Sequence, residues 1–124
     1  MKILIVGGGD VLLSSLNEEP QSRDFEVIST YFGDEARSLY KKDGPWEFVL
    51  ADYFLFPGVI IKDCMQLVTA IHLINPFQQM AIMTAEVNKL RRNLPEALRH
   101  LPVLRKPFRI EQGLRLLRQP VLPL

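Results

Sequence analysis

The sequence predicts an α/β fold: a doubly wound, five-stranded parallel sheet with helices on both faces. The first observation behind this prediction is a set of short apolar runs without polar and apolar alternation, which is typical of strands that are buried on both faces. These runs are residues 3–6, 48–51, 80–83 and 103–104. The second observation is that helical patterns separate the runs, because alternating strands and helices form right-handed βαβ units.

The remaining elements are predicted from side-chain periodicity and from residues that begin or end helices. A fifth strand is predicted over residues 25–29, where polar and apolar side chains alternate as they do near a sheet edge. Five helices are predicted over residues 10–19, 34–42, 63–74, 87–100 and 110–118. Pro20, Gly33-Asp34 and Asn75-Pro76 mark three helix boundaries, each through its own backbone restriction.

The helix predicted over residues 63–74 has the clearest apolar stripe. Leu67, Ile71 and Ile74 recur at helical spacing, with Val68 beside them, and this pattern predicts packing against the sheet. The single cysteine, Cys64, lies in the same apolar pattern and has no partner for an internal disulfide. We expect it to be a small buried residue of a protein in a reducing compartment.

Two segments interrupt the regular patterns. Pro95 falls inside the fourth helical pattern, and Asn93 and Glu96 around it have the spacing of a capping box with Asn93 as N-cap. We therefore expect a kinked or restarted helix there. The apolar segment 59–61 either packs inward as the entry to a helix, the more common outcome, or forms an exposed patch for a partner.

Length and composition are those of one ordinary globular domain. The chain has 124 residues, of which 48% are hydrophobic and 23% charged. We assign the domain to residues 1–118 and treat the Pro-rich residues 119–124 as a C-terminal tail. The apolar run at the N-terminus is too short for a signal peptide, and no stretch has the length of a membrane span. These features predict a cytoplasmic protein.

Charge is distributed unevenly although the net charge is only +1. Residues 1–85 contain 6 Lys and Arg against 11 Asp and Glu, whereas residues 86–124 contain 9 against 3. The basic C-terminal third has no interleaved aromatic residues and no recognition-helix signature, so nucleic acid is not the expected partner. A surface for a protein partner is the preferred interpretation.

Candidate functional residues follow the predicted strands. Gly7, Asp52, Thr84 and Lys106 each lie at or just after the end of a strand. In a doubly wound parallel sheet the functional groups gather at the carboxyl ends of the strands. The sequence therefore predicts that these residues meet at one edge of the sheet.

Three motifs in this order resemble the receiver domain of two-component response regulators. They are Asp52 after the third strand, Thr84-Ala85-Glu86 after the fourth, and Leu104-Arg105-Lys106-Pro107-Phe108 after the fifth. The resemblance covers nearly the whole chain, and it implies a flavodoxin-like fold and a signalling module rather than an enzyme.

The resemblance also implies a role for each of these residues. Asp52 stands at the phosphoacceptor position, and Thr84 and Lys106 stand where the family contacts the phosphoryl group. Positive charge there neutralises the equatorial oxygens of the transferring group. The bond between Lys106 and Pro107 is the candidate for a cis peptide, because the family uses that isomer.

The chain departs from the family at the metal site and at a switch position. Two acidic residues follow the first strand in the family and help to bind Mg²⁺, but Gly7 and Gly8 stand there in this chain. Since Mg²⁺ prefers carboxylate and other oxygen ligands, we expect weak or absent binding at Asp52 and predict no other metal or cofactor. Val103 replaces an aromatic side chain that turns inward on activation. Both departures predict an atypical receiver with impaired Mg²⁺-dependent phosphorylation.

Other interpretations of the same residues stay open. In purely structural roles, Asp52 caps the following loop, Thr84 bonds the backbone and Lys106 is solvated. A working phosphorelay receiver phosphorylated on Asp52 is the main functional alternative. A nucleotide- or flavin-binding domain that uses Gly7 to Gly9 is less favoured, because Leu12 stands where the dinucleotide fingerprint requires a third glycine.

The expected output surface is formed by the fourth helix, the fifth strand and the fifth helix. Seven arginines concentrate in that region and favour an acidic protein partner: Arg91, Arg92, Arg99, Arg105, Arg109, Arg115 and Arg118. A histidine kinase and a second copy of the chain are the candidate partners, and no membrane partner is expected.

Overall fold

A computed structural model describes residues 2–7 and 26–106 of the chain. It contains five parallel strands in one sheet, in the order β2-β1-β3-β4-β5. The strands are β1 (Lys2–Val6), β2 (Glu26–Thr30), β3 (Phe48–Asp52), β4 (Met80–Thr84) and β5 (Val103–Arg105). This is the strand order of flavodoxin-like folds, and the predicted fold class is confirmed. The alternating strand lies at a sheet edge, as its pattern predicted.

Three α-helices are described, and they correspond to the second, third and fourth predicted ones. They are α1 (Gly33–Asp43), α2 (Cys64–Ile74) and α3 (Val87–Asn93), followed by a 3-10 helix (Glu96–Leu98). The predicted helices at residues 10–19 and 110–118, Pro20 and the tail at 119–124 lie outside the described residues. No helix within the described ranges has the length and hydrophobicity that crossing a bilayer requires.

The sheet separates two hydrophobic layers, because successive side chains of a strand point to opposite faces. Leu4, Val6, Val49, Ala51 and Ile82 face the layer that α1, α2 and α3 cover. The other face contributes Ile3, Ile5, Phe48, Leu50, Ala81, Met83 and Leu104, all of them also buried. Burial on both faces explains why the central strands read as uninterrupted apolar runs.

Two local predictions were wrong in detail. The chain does break near Pro95, but Asn93 ends α3 instead of capping a new helix, and Pro95 itself precedes the 3-10 helix without a side-chain cap. In α2 the stripe of Leu67, Val68 and Ile71 is buried as predicted, whereas Ile74 is 45% exposed. The apolar stripe therefore turns away from the sheet at the last turn of α2.

Candidate functional site

Asp52 is the last residue of β3 and lies at the carboxyl edge of the sheet. It pairs in register with Met83 of the neighbouring strand, and only 2% of its surface is exposed. Its Oδ1 accepts a hydrogen bond of 3.0 Å from the Phe54 backbone N–H. Asp52 thus holds the turn that follows it, as expected for a residue of this type after a strand.

Lys106 supplies the cation beside this carboxylate. Its backbone N–H donates to the Thr84 carbonyl at 2.8 Å and so extends the ladder between β4 and β5 by one residue. From there its Nζ reaches across β4 and forms a salt bridge with Oδ2 of Asp52. The lysine side chain is 34% exposed and the aspartate side chain only 3%, so the pair joins a buried anion to a half-buried cation.

Thr84 ends β4, between the strands that carry Asp52 and Lys106. It is fully buried, and its Oγ1 accepts a 3.0 Å hydrogen bond from the Glu86 backbone N–H. The structure therefore places all three predicted residues at one edge of the sheet. Asp52 and Thr84 also perform the local backbone roles that the alternative interpretation gave them, whereas Lys106 is paired instead of merely solvated.

Gly7 follows β1 and approaches Asp52 more closely than the sequence suggested. Its φ is +98°, and its N–H donates to the Thr30 carbonyl at 2.8 Å. A Cβ atom built on Gly7 would lie 2.5 Å from the Asp52 Cβ, far inside van der Waals contact. Only glycine meets both the positive φ and this approach without strain. Gly8, the second position of the expected acidic pair, lies outside the described residues.

The described residues around Asp52 do not by themselves form a group of magnesium ligands. In the residues described, no three His, Cys, Asp or Glu side chains form a group that could hold a metal. Gly7 has no side-chain ligand, and both carboxylate oxygens of Asp52 already accept hydrogen bonds, one of them from an ammonium group. Mg²⁺ demands near-octahedral oxygen ligation, which this donor set lacks.

Asp34, in the first turn of α1, holds the loop after Asp52 from the side. Its carboxylate accepts the backbone N–H groups of Val59 at 2.7 Å, Ile60 at 3.2 Å and Ile61 at 2.5 Å. The bond from Ile61 is the largest reason that the pKa of Asp34 lies below its usual value, since donors favour the charged form. Sequence patterns do not predict this contact, because Asp34 and residues 59–61 are more than twenty positions apart.

We call the contact between the Asp34 carboxylate and the backbone N–H groups of residues 59–61 the clasp. Two glycines permit it. A Cβ on Gly58 would lie 2.6 Å from Oδ2 of Asp34, and a Cβ on Gly33 would lie 2.3 Å from Cγ2 of Ile61. The segment at 59–61 therefore divides between the two predicted outcomes. Ile61 packs into the core, whereas Val59 is 86% and Ile60 64% exposed.

An aromatic group lies next to the clasp. Phe32 and Phe56 form an isolated parallel bridge, and their ring centroids are 5.8 Å apart. Tyr31 meets Phe56 edge-on at 6.0 Å, and Phe54 packs edge-on against Tyr53 at 5.0 Å. These side chains border the edge at which Asp52 lies.

The other predicted positions are distributed as follows. Val103 is half-buried and packs against the layer covered by the described helices. Arg91, Arg92, Arg99 and Arg105 are exposed. Arg109, Arg115, Arg118 and Pro107 lie outside the described residues, so the isomer of the Lys106–Pro107 bond stays a prediction.

Cys64 is buried as predicted, and burial, with smaller contributions from Asp52 and Asp63, raises the pKa of its thiol to about 12.

Comparison with known proteins shows a shared fold. No protein-family model and no curated protein matches the chain. Among solved structures, the chain is similar to the chemotaxis protein CheY4 of Vibrio cholerae, with a TM-score of 0.75 and 21% identity over 98% of each chain. It is also similar to the signal receiver domain of an HD domain-containing protein from Pseudomonas fluorescens Pf-5, with a TM-score of 0.74, 19% identity and coverage of 94% of this chain and 83% of that one.

A third similar structure contains a metal. It is the receiver domain of the sensor histidine kinase PA1611 from Pseudomonas aeruginosa PAO1, with a magnesium ion coordinated in its active-site cleft. The TM-score is 0.72 and the identity 20%, over 94% of this chain and 93% of that one. The chain thus has the fold of receiver domains at low sequence identity.

Proposed function

We propose that this chain is an atypical response-regulator receiver module that acts through protein–protein interaction, with impaired Mg²⁺-dependent phosphorylation at Asp52. The shared fold supports a regulatory rather than an enzymatic role in the cytoplasm. The convergence of Asp52, Thr84 and Lys106 at one sheet edge supports their assignment to the phosphoacceptor and phosphoryl-contacting positions. The approach of the Gly7 backbone to Asp52 is the observation that carries the atypical part of the proposal.

The electrostatics of the edge favour a permanent ion pair over a chemical switch. A buried carboxylate must be paired or hydrogen-bonded, and Asp52 satisfies this requirement through Lys106 and the Phe54 N–H. Attack on phosphorus would need positive charge to neutralise the developing equatorial oxygens. Lys106 supplies one such charge, but no described side chain supplies the ligands for a metal that would add more.

The proposed output surface includes the exposed arginines of α3, the following turn and β5. Arg91, Arg92, Arg99 and Arg105 are all exposed to solvent, and nearby Lys89 forms an ion pair with Glu86 at 3.7 Å. A cluster of one sign attracts a partner of the opposite sign and accelerates encounter at low salt. We therefore propose an acidic protein partner for this surface, with a histidine kinase as one candidate.

A phosphodonor experiment tests the chemistry. The chain is incubated with acetyl phosphate and Mg²⁺, and its intact mass is measured beside a receiver that retains both acidic residues. We expect a stoichiometric adduct on the control and almost none on this chain. A stoichiometric adduct that disappears in Asp52→Asn would establish the competing function, a working phosphorelay receiver.

The interaction part of the proposal has its own test. Affinity for a candidate kinase or other acidic partner is measured by calorimetry at low and high salt, for the wild type and for Arg91→Glu/Arg92→Glu. We expect the substitutions to weaken binding at least tenfold and salt to weaken wild-type binding. Binding that is unaffected by both changes would remove the arginine surface from the proposal.

A further inference from the structure

Helix α2 presents an outward face without charge. Between Cys64 and Ala85 the chain contains no Asp, Glu, Lys or Arg, although 23% of all residues are charged. A surface helix ordinarily carries charged side chains on the side opposite its apolar stripe. The buried side of α2 is Cys64, Leu67, Val68 and Ile71. Its solvent side therefore lacks the charged side chains that a surface helix normally carries.

A shallow groove runs along this side of α2, with the charged N-cap residue Asp63 at its N-terminal end. It has a volume of about 360 Å³ and is lined by Asp63, Met65, Gln66, Thr69, Ala70 and Leu73. At 100° per residue, Gln66, Thr69 and Leu73 lie almost opposite the buried stripe. Leu73 is 77% exposed. Thr69 and Ala70 have short side chains, so the middle of the groove is open.

The apolar surface continues past the end of α2 to Phe77, which is 88% exposed. This phenylalanine is held outward by ordered neighbours. Its backbone N–H donates to the Asn75 side chain at 3.0 Å, and the next residue, Gln78, is buried and bonded to the Tyr40 hydroxyl at 2.7 Å. The turn therefore holds a large aromatic side chain in water, where it contributes no hydrophobic burial to the stability of the monomer.

We propose that this face of α2 is a self-association surface, on which a second copy of the chain packs with its own α2 antiparallel to the first. In a two-fold interface the same patch lies on both sides, so a charge near the axis would meet a like charge. The helix itself carries no Asp, Glu, Lys or Arg, and Asp63 lines the groove only at the N-cap, six residues before Thr69, so this repulsion is avoided near the axis. The cores of homodimer interfaces are likewise apolar and depleted in charged residues.

The antiparallel arrangement matches large side chains with the groove. With the two-fold axis beside Thr69 and Ala70, Leu73 of each copy enters the groove next to Met65 and Gln66 of the other. Phe77 of each copy then lies toward the N-terminal end of the other α2, the end at which Val59 and Ile60 are exposed. One helix pair is smaller than a standard interface, so we expect a concentration-dependent dimer, with a Kd of about 10–100 µM.

This inference concerns a different surface from the proposed arginine surface and does not depend on phosphorylation. Sedimentation velocity over 5–500 µM, concentrations chosen to bracket the expected Kd, measures the equilibrium. We expect Leu73→Arg to weaken association at least tenfold, because each copy then buries a charge in an apolar groove. The matched control Arg91→Glu/Arg92→Glu leaves association unchanged. Dimers lost in the control but retained in Leu73→Arg would assign dimerisation to α3 and overturn the proposal.

Two further variants test the geometry. Gln66→Glu/Leu73→Lys regains association relative to Leu73→Lys, because opposite charges then face each other across the axis. The added carboxylate also preserves the acceptor that Gln66 gives the Lys62 N–H, at 2.8 Å. Thr69→Cys forms a disulfide-linked dimer on mild oxidation, whereas Asn88→Cys on α3 does not. A chain that stays monomeric up to the highest concentration, with its thermal stability intact, would overturn the proposal.

Discussion

Gly7 and Asp52 are packed backbone against side chain, so that a Cβ on the glycine would fall 2.5 Å from the Cβ of the aspartate. The contact limits which residues position 7 can hold. The backbone has taken a conformation, with φ at +98°, in which an acidic side chain would have no room. We therefore expect that a single acidic substitution at position 7 does not create a magnesium site.

Substitution of Gly7 tests this relationship. We expect Gly7→Ala to lower the free energy of unfolding by about 1–3 kcal/mol, because it combines a positive φ with a steric overlap. Gly7→Asp is expected to cost at least as much and to confer no Mg²⁺-dependent stabilisation. Urea denaturation with and without Mg²⁺ measures both effects.

Gly44→Ala is the matched control, since a Cβ there meets no atom closer than 3.4 Å and the φ is −62°. We expect it to change stability by less than about 1 kcal/mol. A Gly7→Ala variant as stable as Gly44→Ala would contradict the packing described here.

The Asp52 and Lys106 pair is expected to behave as a coupled unit. Lys106→Met leaves a buried carboxylate without its cation and should cost about 1–3 kcal/mol. Asp52→Asn should cost less, because it removes the buried charge and keeps an acceptor for the Phe54 N–H. The double variant should be more stable than the sum of the single effects predicts, by about 0.5–3 kcal/mol. Additive effects in a denaturation cycle would mean that the salt bridge contributes nothing.

The clasp made by Asp34 should give stability a specific pH dependence. The pKa of Asp34 is lowered, chiefly by the Ile61 N–H, so its carboxylate stabilises the fold above the ordinary value of 3.8. This contribution is lost as pH falls through the lowered pKa. Asp34→Asn places an amide donor opposite backbone N–H groups and should lower the melting temperature at neutral pH.

The melting temperatures of wild type and Asp34→Asn are therefore expected to converge only as the pH falls below 3.8 and through the lowered pKa of Asp34, where protonation weakens the wild-type clasp. Amide exchange at Val59, Ile60 and Ile61 should be faster in the variant at pH 7. Glu35→Gln, on the same exposed turn, serves as the control and should preserve protection. A constant difference in melting temperature across the whole pH range would argue against a role for the ionised carboxylate.

The thiol of Cys64 is expected to be inert in the folded protein. Burial raises its pKa to about 12, and reaction requires the thiolate. At pH 8 we expect a thiol reagent such as DTNB to label the native chain at least about a hundredfold more slowly than the chain unfolded in urea. A Cys64→Ala/Asn88→Cys variant supplies an exposed thiol for comparison. Native labelling as fast as that of the comparison thiol would show that the core around Cys64 opens readily.

The architecture of this protein could be predicted from its sequence alone. Strands that are buried on both faces are uninterrupted apolar runs in the sequence, whereas the edge strand has exposed polar residues at Glu26 and Ser29. The placement of Asp52, Thr84 and Lys106 together also followed from sequence, since parallel strands end at the same edge of a sheet. These are consequences of local periodicity and of one topological rule.

The contacts that those residues make could not be predicted from the sequence. The overlap of Gly7 with Asp52, the three N–H groups that Asp34 accepts and the outward turn of Ile74 and Phe77 depend on distances between segments far apart in the chain. Periodicity reports whether a side chain is buried and carries no information about which distant atom it meets. The contacts of Gly7, of Asp34 and of the exposed face of α2 are fixed only when the fold brings distant segments within contact distance.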